Sequence, residues 1–159
     1  MAPSNPLRLQ CADRFVTVLT AIEAGDNYFY TPHKVAKIPL DYEKAKYGNL
    51  YQVFTGEDAG SIADYYQHEI YDETFYISVI GIVHDRVDLV SKVEKAVRDV
   101  RYAIDQDSKS GAAGSLGVLA VQVRLDESPM MEYFSEDRDS FAQFDQKFRV
   151  QITGDIGDL

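Results

Sequence analysis

Side chains capable of nucleophilic or metal chemistry are few and widely spaced in this sequence. Cys11 is the only cysteine, and it lies on the apolar stripe of a predicted helix, whereas a catalytic thiolate needs a polar, partly exposed position beside a base. The histidines His33, His68 and His84 form no i, i+4 pair that would place two metal ligands on one helix face. The residues therefore indicate a core cysteine and solvated or hydrogen-bonded histidines.

Two further patterns resemble binding loops only in part. Asp105, Asp107 and Lys109 have the spacing that begins a calcium loop, but Lys109 has the wrong charge and Leu116 stands where the bidentate Glu belongs. The evenly spaced glycines within residues 111–117 follow a helix and precede a strand, whereas a phosphate cradle needs the opposite order. We therefore predict no cofactor, no metal ion and no catalytic residue, and expect that the protein is not an enzyme.

The composition restricts the classes of partner. The 159 residues suit one domain spanning the whole chain, with a formal net charge of −10. A surface of that sign repels phosphate, which argues against sequence-independent binding to nucleic acid and against anionic membranes. The lone cysteine indicates a reducing compartment. No signal peptide is expected in residues 1–10, and the longest apolar stretch, residues 75–83, is too short to cross a bilayer.

Two helices are predicted from caps and apolar spacing. Asn5 and Pro6 suit the N-cap and first position of a helix over residues 6–24, and Gly25 suits its end. The apolar residues of this helix are Cys11, Phe15, Val18, Leu19 and Ile22. Asp85 or Asp88 caps a second helix. Its apolar stripe consists of Leu89, Val93, Val97, Val100 and Ile104.

The strands are predicted mainly from runs of apolar residues. Residues 74–84 are apolar on both faces, which is typical of a central strand. Shorter strands are expected within residues 34–42 and at 50–54, 118–125 and 147–153, whereas residues 59–71 are compatible with helix or strand. A loop over 108–117 and a frayed tail over 154–159 complete the chain. This order predicts an α+β fold, a single domain with a mixed, mostly antiparallel sheet and two principal helices packed on it.

Two segments carry the side chains that suit a protein interface. One is the tyrosine-rich stretch after the first helix, and the other is the acidic connection over residues 126–140, in which methionines and aromatics are unusual for a solvated loop. These side chains either contact a partner or fold back onto the core of the domain. The candidate interface residues are Tyr28, Phe29, Tyr30, Met130, Met131, Tyr133 and Phe134.

The order and spacing of these elements resemble those of tail-terminator (tail-completion or minor tail) proteins of long-tailed bacteriophages. The resemblance covers residues 7–152 and comprises an amphipathic helix, a short strand with an acidic turn, a central strand followed directly by a helix, and two closing strands around an acidic excursion. The residues that carry it are 21–28, 33–35, 51–57, 75–83, 89–105, 118–125 and 147–153.

The resemblance implies a structural virion protein at the head-proximal end of the tail. Such proteins assemble a ring, commonly hexameric, that caps the tail tube, ends its polymerisation and presents a surface to the head connector. The implied partners are other copies of the chain, the tail tube protein and the connector proteins, with DNA passing through the lumen without specific binding. Ring interfaces are heterologous, and tyrosine-rich loops and an edge strand at residues 147–153 are expected to supply them.

Three other functions stay open from the sequence. A different neck or head-closure protein would also form a ring of small α+β subunits. A small acidic enzyme or ligand-binding domain would show a pocket with convergent polar groups. An acidic mimic of DNA would space its carboxylates along one face, whereas the acids here are scattered.

Overall fold

The computed structural model describes residues 5–56, 63–65, 70–110, 119–120, 122–136 and 139–155. It contains two α-helices, seven strands and one 3₁₀ helix, Tyr42–Tyr47. The α-helices are α1 (Leu7–Thr20) and α2 (Leu89–Ser110). The strands are β1 (Lys34–Ala36), β2 (Leu50–Thr55), β3 (Ala63–Tyr65), β4 (Ile70–His84), β5 (Gln122–Leu125), β6 (Met130–Glu136) and β7 (Asp139–Asp155).

All seven strands form one mixed sheet. Its main path has the order β1-β2-β4-β7-β5, with β3 beside β4 and β6 beside β7. Only β1 and β2 run parallel, and every other pair is antiparallel. The predicted α+β class, with a mostly antiparallel sheet and two principal helices, is therefore confirmed.

Both helices pack on the same face of the sheet. Phe75, Ile77 and Val79 of β4 alternate toward the helices, and Val150 and Phe148 lie opposite the first two of them on β7. Gly81 is the next position in this row, and a glycine is required there because a Cβ would overlap the Phe144 ring. The prediction of a central strand over residues 74–84 is confirmed, since β4 is paired on both sides.

Helix α1 is shorter than predicted. It begins at Leu7 with Pro6 at the N-cap, so Asn5 does not cap it, and it ends at Thr20, ahead of the predicted end at residue 24. The Ile22 amide donates to the Leu19 carbonyl, which tightens the last turn and places Ile22 in the core. The Gly25 amide instead donates to the Tyr28 carbonyl. Burial of Ile22 therefore decides where the chain leaves the helix.

Helix α2 follows its predicted stripe. Of the two predicted caps, Asp88 caps α2, since its Oδ1 accepts the Ser91 amide in the first turn. Asp85 Oδ1 accepts the amides of Val87 and Asp88, which precede the helix. The stripe residues Val93, Val97, Val100 and Ile104 are buried, and Leu89 packs at the margin of the core. The helix continues to Ser110, so the predicted loop over 108–117 starts too early. Residues 111–117 lie outside the described residues.

The prediction of an edge strand at residues 147–153 is wrong, and so is the prediction that the tail starts at residue 154. Residues 147–153 belong to β7, which pairs with β4 on one side and with β5 and β6 on the other, so this segment is not an edge strand. The inward positions Phe148, Val150 and Ile152 are buried as predicted. β7 also extends through Gly154 to Asp155 because β4 starts at Ile70 and pairs with it there. The rest of the predicted tail, 156–159, lies outside the described residues.

The predicted acidic connection is also wrong in structure. Its middle part, Met130–Glu136, is β6, which pairs along the first half of β7. Alternation was obscured there because Met130 and Phe134 lie on one face while Met131 and Tyr133 lie on the other, so both faces carry apolar side chains. Within residues 59–71, the described residues form β3 and the start of β4. Within the predicted strand 118–125, the part that forms a strand is β5.

Candidate assembly surfaces

The tyrosine-rich segment after α1 is held on α2 by a buried carboxylate. Asp99 is fully buried, and its Oδ2 accepts the backbone amides of Phe29 at 2.9 Å and Tyr30 at 3.0 Å. Burial raises the pKa of Asp99, although the two amides and the Arg98 guanidinium act in the opposite direction. Asp99, about seventy positions later in the chain, therefore fixes the backbone of this segment on α2 together with Arg98, whose guanidinium donates to the Asn27 carbonyl.

Cations of α2 surround the aromatic rings of this segment. The Arg98 guanidinium lies 4.6 Å from the Tyr102 ring centroid and 5.5 Å from that of Phe29, and Lys95 Nζ lies 5.4 Å from the Phe29 centroid. Tyr28 meets Tyr102 edge to face at 5.6 Å. Cations over aromatic faces attract the negative ring quadrupole. We call the exposed part of this arrangement, formed by Phe29, Lys95 and Arg98, the α2 patch.

The three candidate residues of this segment have different surroundings. Tyr28 and Tyr30 are partly buried and pack against the main core, whereas Phe29 is 51% exposed. Burial raises the pKa of both tyrosine hydroxyls. Of the three, Phe29 is the side chain that offers most of its surface to a partner.

The β5–β6 edge carries the second group of candidate residues. Within the described part of the chain, β6 pairs with β7 alone, so its other side has unpaired backbone groups. Its exposed apolar side chains are large. The exposed fractions are 65% for Met130, 50% for Tyr133 and 37% for Phe134, with 50% for Leu125 on β5. Met131 packs against the core. We call residues 130–136 the β6 edge.

One candidate residue on the β6 edge is anchored from within the domain. Phe134 stacks on Phe141 with centroids 5.4 Å apart, and Tyr42 of the 3₁₀ helix contacts both rings edge to face. The Tyr42 hydroxyl donates to the Glu136 carboxylate, and this bond raises the pKa of Tyr42 to about 12. Phe134 therefore serves as a wall of a small second core as well as an exposed residue.

A buried carboxylate joins the same end of the sheet to the 3₁₀ helix. Asp139 is buried, and it pairs with Lys46 at 2.9 Å, with Arg86 Nε at 2.9 Å and with His84 Nε2 at 3.1 Å. Hydrogen bonds from Lys46, His84 and Arg86 hold the pKa of Asp139 well below its usual range. No sequence pattern indicated this cluster, because its members are separated by tens of residues.

The cysteine, the described histidines, Asp105 and Asp107 all contact other side chains of the domain. Cys11 is buried in the core, as predicted, and burial raises the pKa of its thiol to about 12. Asp105 pairs with Lys109, and Asp107 pairs with Arg14 of α1. The His33 ring lies 5.9 Å from that of Tyr47, and His68 lies outside the described residues. Among the described residues, no three His, Cys, Asp or Glu side chains are grouped to hold a metal ion.

A groove with an apolar floor lies between α2 and β5. It has a volume of about 340 Å³ and is lined by residues that include Ile104, Val123 and Phe148. Arg101 on its rim donates from Nε to the buried Gln146 Oε1 at 2.7 Å, so that guanidinium is held in place by the core. β5, which lines this groove, and β6 both pair with β7.

No described helix is long and apolar enough to span a membrane. The charges of the two surfaces differ, since the α2 patch carries Lys95 and Arg98 while the β6 edge carries Glu132 and Glu136.

A scan against models of protein families finds no match, and a search of curated proteins finds no significant match either.

Proposed function

We propose that this chain is a tail-terminator subunit of a long-tailed bacteriophage, a structural virion protein that forms a ring on the finished tail tube. The ring, a hexamer in this proposal, ends tube polymerisation and presents the attachment surface for the head connector. The protein acts at the head-proximal end of the virion tail after assembly in the host cytoplasm.

The observation that supports a ring best is the pair of unlike exposed surfaces. The β6 edge offers apolar and acidic side chains, and the α2 patch offers a cation-flanked aromatic ring. A closed ring with heterologous contacts requires two different patches on each subunit that fit one another. Opposite charge on the two surfaces favours contact between different patches over contact between like patches.

The architecture of the β6 edge supports burial against a neighbour. An edge strand with unpaired backbone groups and exposed apolar side chains on both faces promotes aggregation unless something covers it. Met130 projects on one face of the sheet and Tyr133 on the other, so a neighbour that covers the edge buries both. Met and Tyr are favoured in interface cores.

The acidic composition suits passage of DNA. With a net charge of −10 per chain, an acidic lumen would repel phosphate and keep DNA from adhering. In this proposal the tail tube protein and the connector contact the two ends of the ring, and DNA crosses it without specific binding. A lumen lined mainly by basic residues would contradict this part of the proposal.

The direct test is electron microscopy of the protein mixed with purified tail tubes. Rings on one end of each tube, together with a block to tube growth, are expected. Rings that bind head connectors alone would assign the protein to the neck instead. Absence of rings and of binding to both structures, over a range of salt and protein concentrations, would reject the virion function.

Charge-swap variants test the proposed ring interface separately from tube binding. Lys95→Glu and Glu132→Lys each place like charges across the contact, so each is expected to prevent ring formation on tubes. The double variant restores opposite charge and is expected to restore rings. Glu23→Lys, at an exposed position outside both surfaces, is the matched control and leaves rings intact. Rings formed equally well by both single variants would show that these surfaces do not meet.

A further inference from the structure

Two arginines lie directly opposite each other on the sheet face that the helices leave uncovered. Arg124 of β5 and Arg149 of β7 are register partners, and both are exposed. Like charges directly opposite one another destabilise a strand pair. Among the described residues, neither guanidinium has a carboxylate within ion-pair distance, although the chain has an excess of acids.

The neighbouring row of the sheet adds hydrogen-bonding groups without charge. Thr74, Gln151 and Gln122 lie side by side across β4, β7 and β5. Together with the two arginines they line a depression of about 240 Å³. Among the described residues, its lining therefore consists of two guanidiniums, two amides and one hydroxyl, with no acidic side chain.

Two nearby carboxylates accept hydrogen bonds from uncharged donors. Asp72 accepts Gln151 Nε2 at 3.1 Å and also the Thr153 hydroxyl. Asp126 accepts the hydroxyl of Tyr76, which lies beside Arg149 in the sheet. Lys147 adds a third cation on the same face, next to Ser78. Both carboxylates keep their negative charge, but among the described residues neither forms an ion pair with the two arginines, so both guanidiniums keep donors for an anion.

We propose that the Arg124–Arg149 depression binds a compact phosphate-bearing anion. A guanidinium presents a planar fork that matches phosphate oxygens in a bidentate manner, and two forks with flanking amides can surround a tetrahedral group. A carboxylate has only two oxygens to share between two forks, whereas a phosphate group offers more oxygens in a tetrahedral arrangement. The net charge of −10 repels an extended polyanion, so nucleic acid is disfavoured relative to a small ligand. This site does not depend on the proposed ring.

Calorimetric titration of the full chain with inorganic phosphate and pyrophosphate, at constant ionic strength, tests the proposal. Saturable binding is expected, and Arg124→Gln and Arg149→Gln each weaken it roughly tenfold or more, since hydrogen bonds to charged groups contribute about that much. Lys34→Gln removes one positive charge from β1, on the opposite edge of the sheet, and is expected to leave binding unchanged.

Thermal unfolding provides an independent reading of the same site. Phosphate is expected to raise the Tm of the wild-type chain and not that of the double arginine variant. Without phosphate, Arg149→Gln is expected to raise the Tm, because it removes the like-charge pair. A lowered Tm would contradict that reasoning.

Three results would overturn the proposal. One is no saturable binding of phosphate up to about 10 mM, an affinity too weak for a formed site. The second is equal binding of succinate, which would identify a carboxylate site. The third is arginine-dependent binding of single-stranded DNA that is stronger than that of pyrophosphate, which would identify a nucleic-acid surface.

Discussion

Replacement of Asp99 by alanine should separate the segment after α1 from α2. Asp99 is fully buried and accepts the amides of Phe29 and Tyr30 at 2.9 and 3.0 Å. Hydrogen bonds to a charged group contribute roughly 1.5–3 kcal/mol each. Since Phe29 is half exposed, water can satisfy part of what is lost, so we expect the free energy of unfolding to fall by about 2–4 kcal/mol.

Two other variants isolate the source of this loss. Asp99→Asn keeps an oxygen that can accept both amides, so it should cost about 1 kcal/mol. Asp105→Ala is the matched control on the same helix, because Asp105 pairs with Lys109 at the surface and such i, i+4 pairs contribute at most about 0.5 kcal/mol. Both alanine variants gain the same helix propensity, which cancels in the comparison.

Urea denaturation followed by circular dichroism measures these differences, with hydrogen exchange of the Phe29 and Tyr30 amides as the local probe. For a chain of this length each kcal/mol corresponds to about 2–4 °C in Tm. Fast exchange of both amides is expected in Asp99→Ala alone. If Asp99→Ala and Asp105→Ala differ by less than about 1 kcal/mol, the carboxylate does not hold the segment and the reasoning fails.

The same carboxylate should give a pH dependence of defined sign. Burial raises the pKa of Asp99 above its ordinary value of 3.8, so the folded chain binds this proton at a higher pH than the unfolded chain does. The contribution of Asp99 to stability therefore decreases as pH rises from 3.8 through the folded pKa. Asp99→Asn should remove this slope in urea denaturation curves recorded between pH 4 and 7, whereas an unchanged slope would assign it to other groups.

Three further predictions concern the core and the buried ionic cluster. Gly81→Ala should lower the free energy of unfolding, measured in urea, by about 1–3 kcal/mol or more, because the added methyl overlaps the buried Phe144 ring. Gly25→Ala is its control, because the space around Gly25 is open. Asp139 has a lowered pKa, so its stabilising effect should be lost as pH falls below 3.8. Asp139→Asn should therefore weaken the loss of stability at acid pH. An unchanged loss in that variant would show that other groups cause it. Cys11, buried with its pKa raised to about 12, should react with a thiol reagent only after unfolding, and rapid labelling of the native chain would contradict its place in the core.

Several elements follow from local sequence with little help from the rest of the chain. α2 was predictable because its apolar stripe repeats at helical spacing and Asp88 precedes it as a cap. β4 was predictable because a run that is apolar on both faces, with no glycine or proline until Gly81, is typical of a central strand. These features depend on neighbours within a few positions, which a single sequence displays.

The functional surfaces depended on pairing between distant segments. The sequence of β6 predicts an irregular connection because Met130 and Met131 break the alternation that marks a strand, and only pairing with β7 makes this segment a strand. β7 became an inner strand for the same reason. The candidate residues at 28–30 and 130–134 were selected by residue type, but their exposure was decided by Asp99 and by the 3₁₀ helix, which lie far away in sequence.

The sequence by itself determined the fold class, the two helices, the central strand and the burial of Cys11, because apolar periodicity and capping act over a few residues. Only the tertiary structure decided which strand forms the edge, which aromatic side chains stay exposed, and where charges meet. The Asp139 cluster and the Arg124–Arg149 pair arise when the sheet register brings together residues from separate strands. Register is set by burial of the whole sheet face, and so no local pattern encodes these juxtapositions.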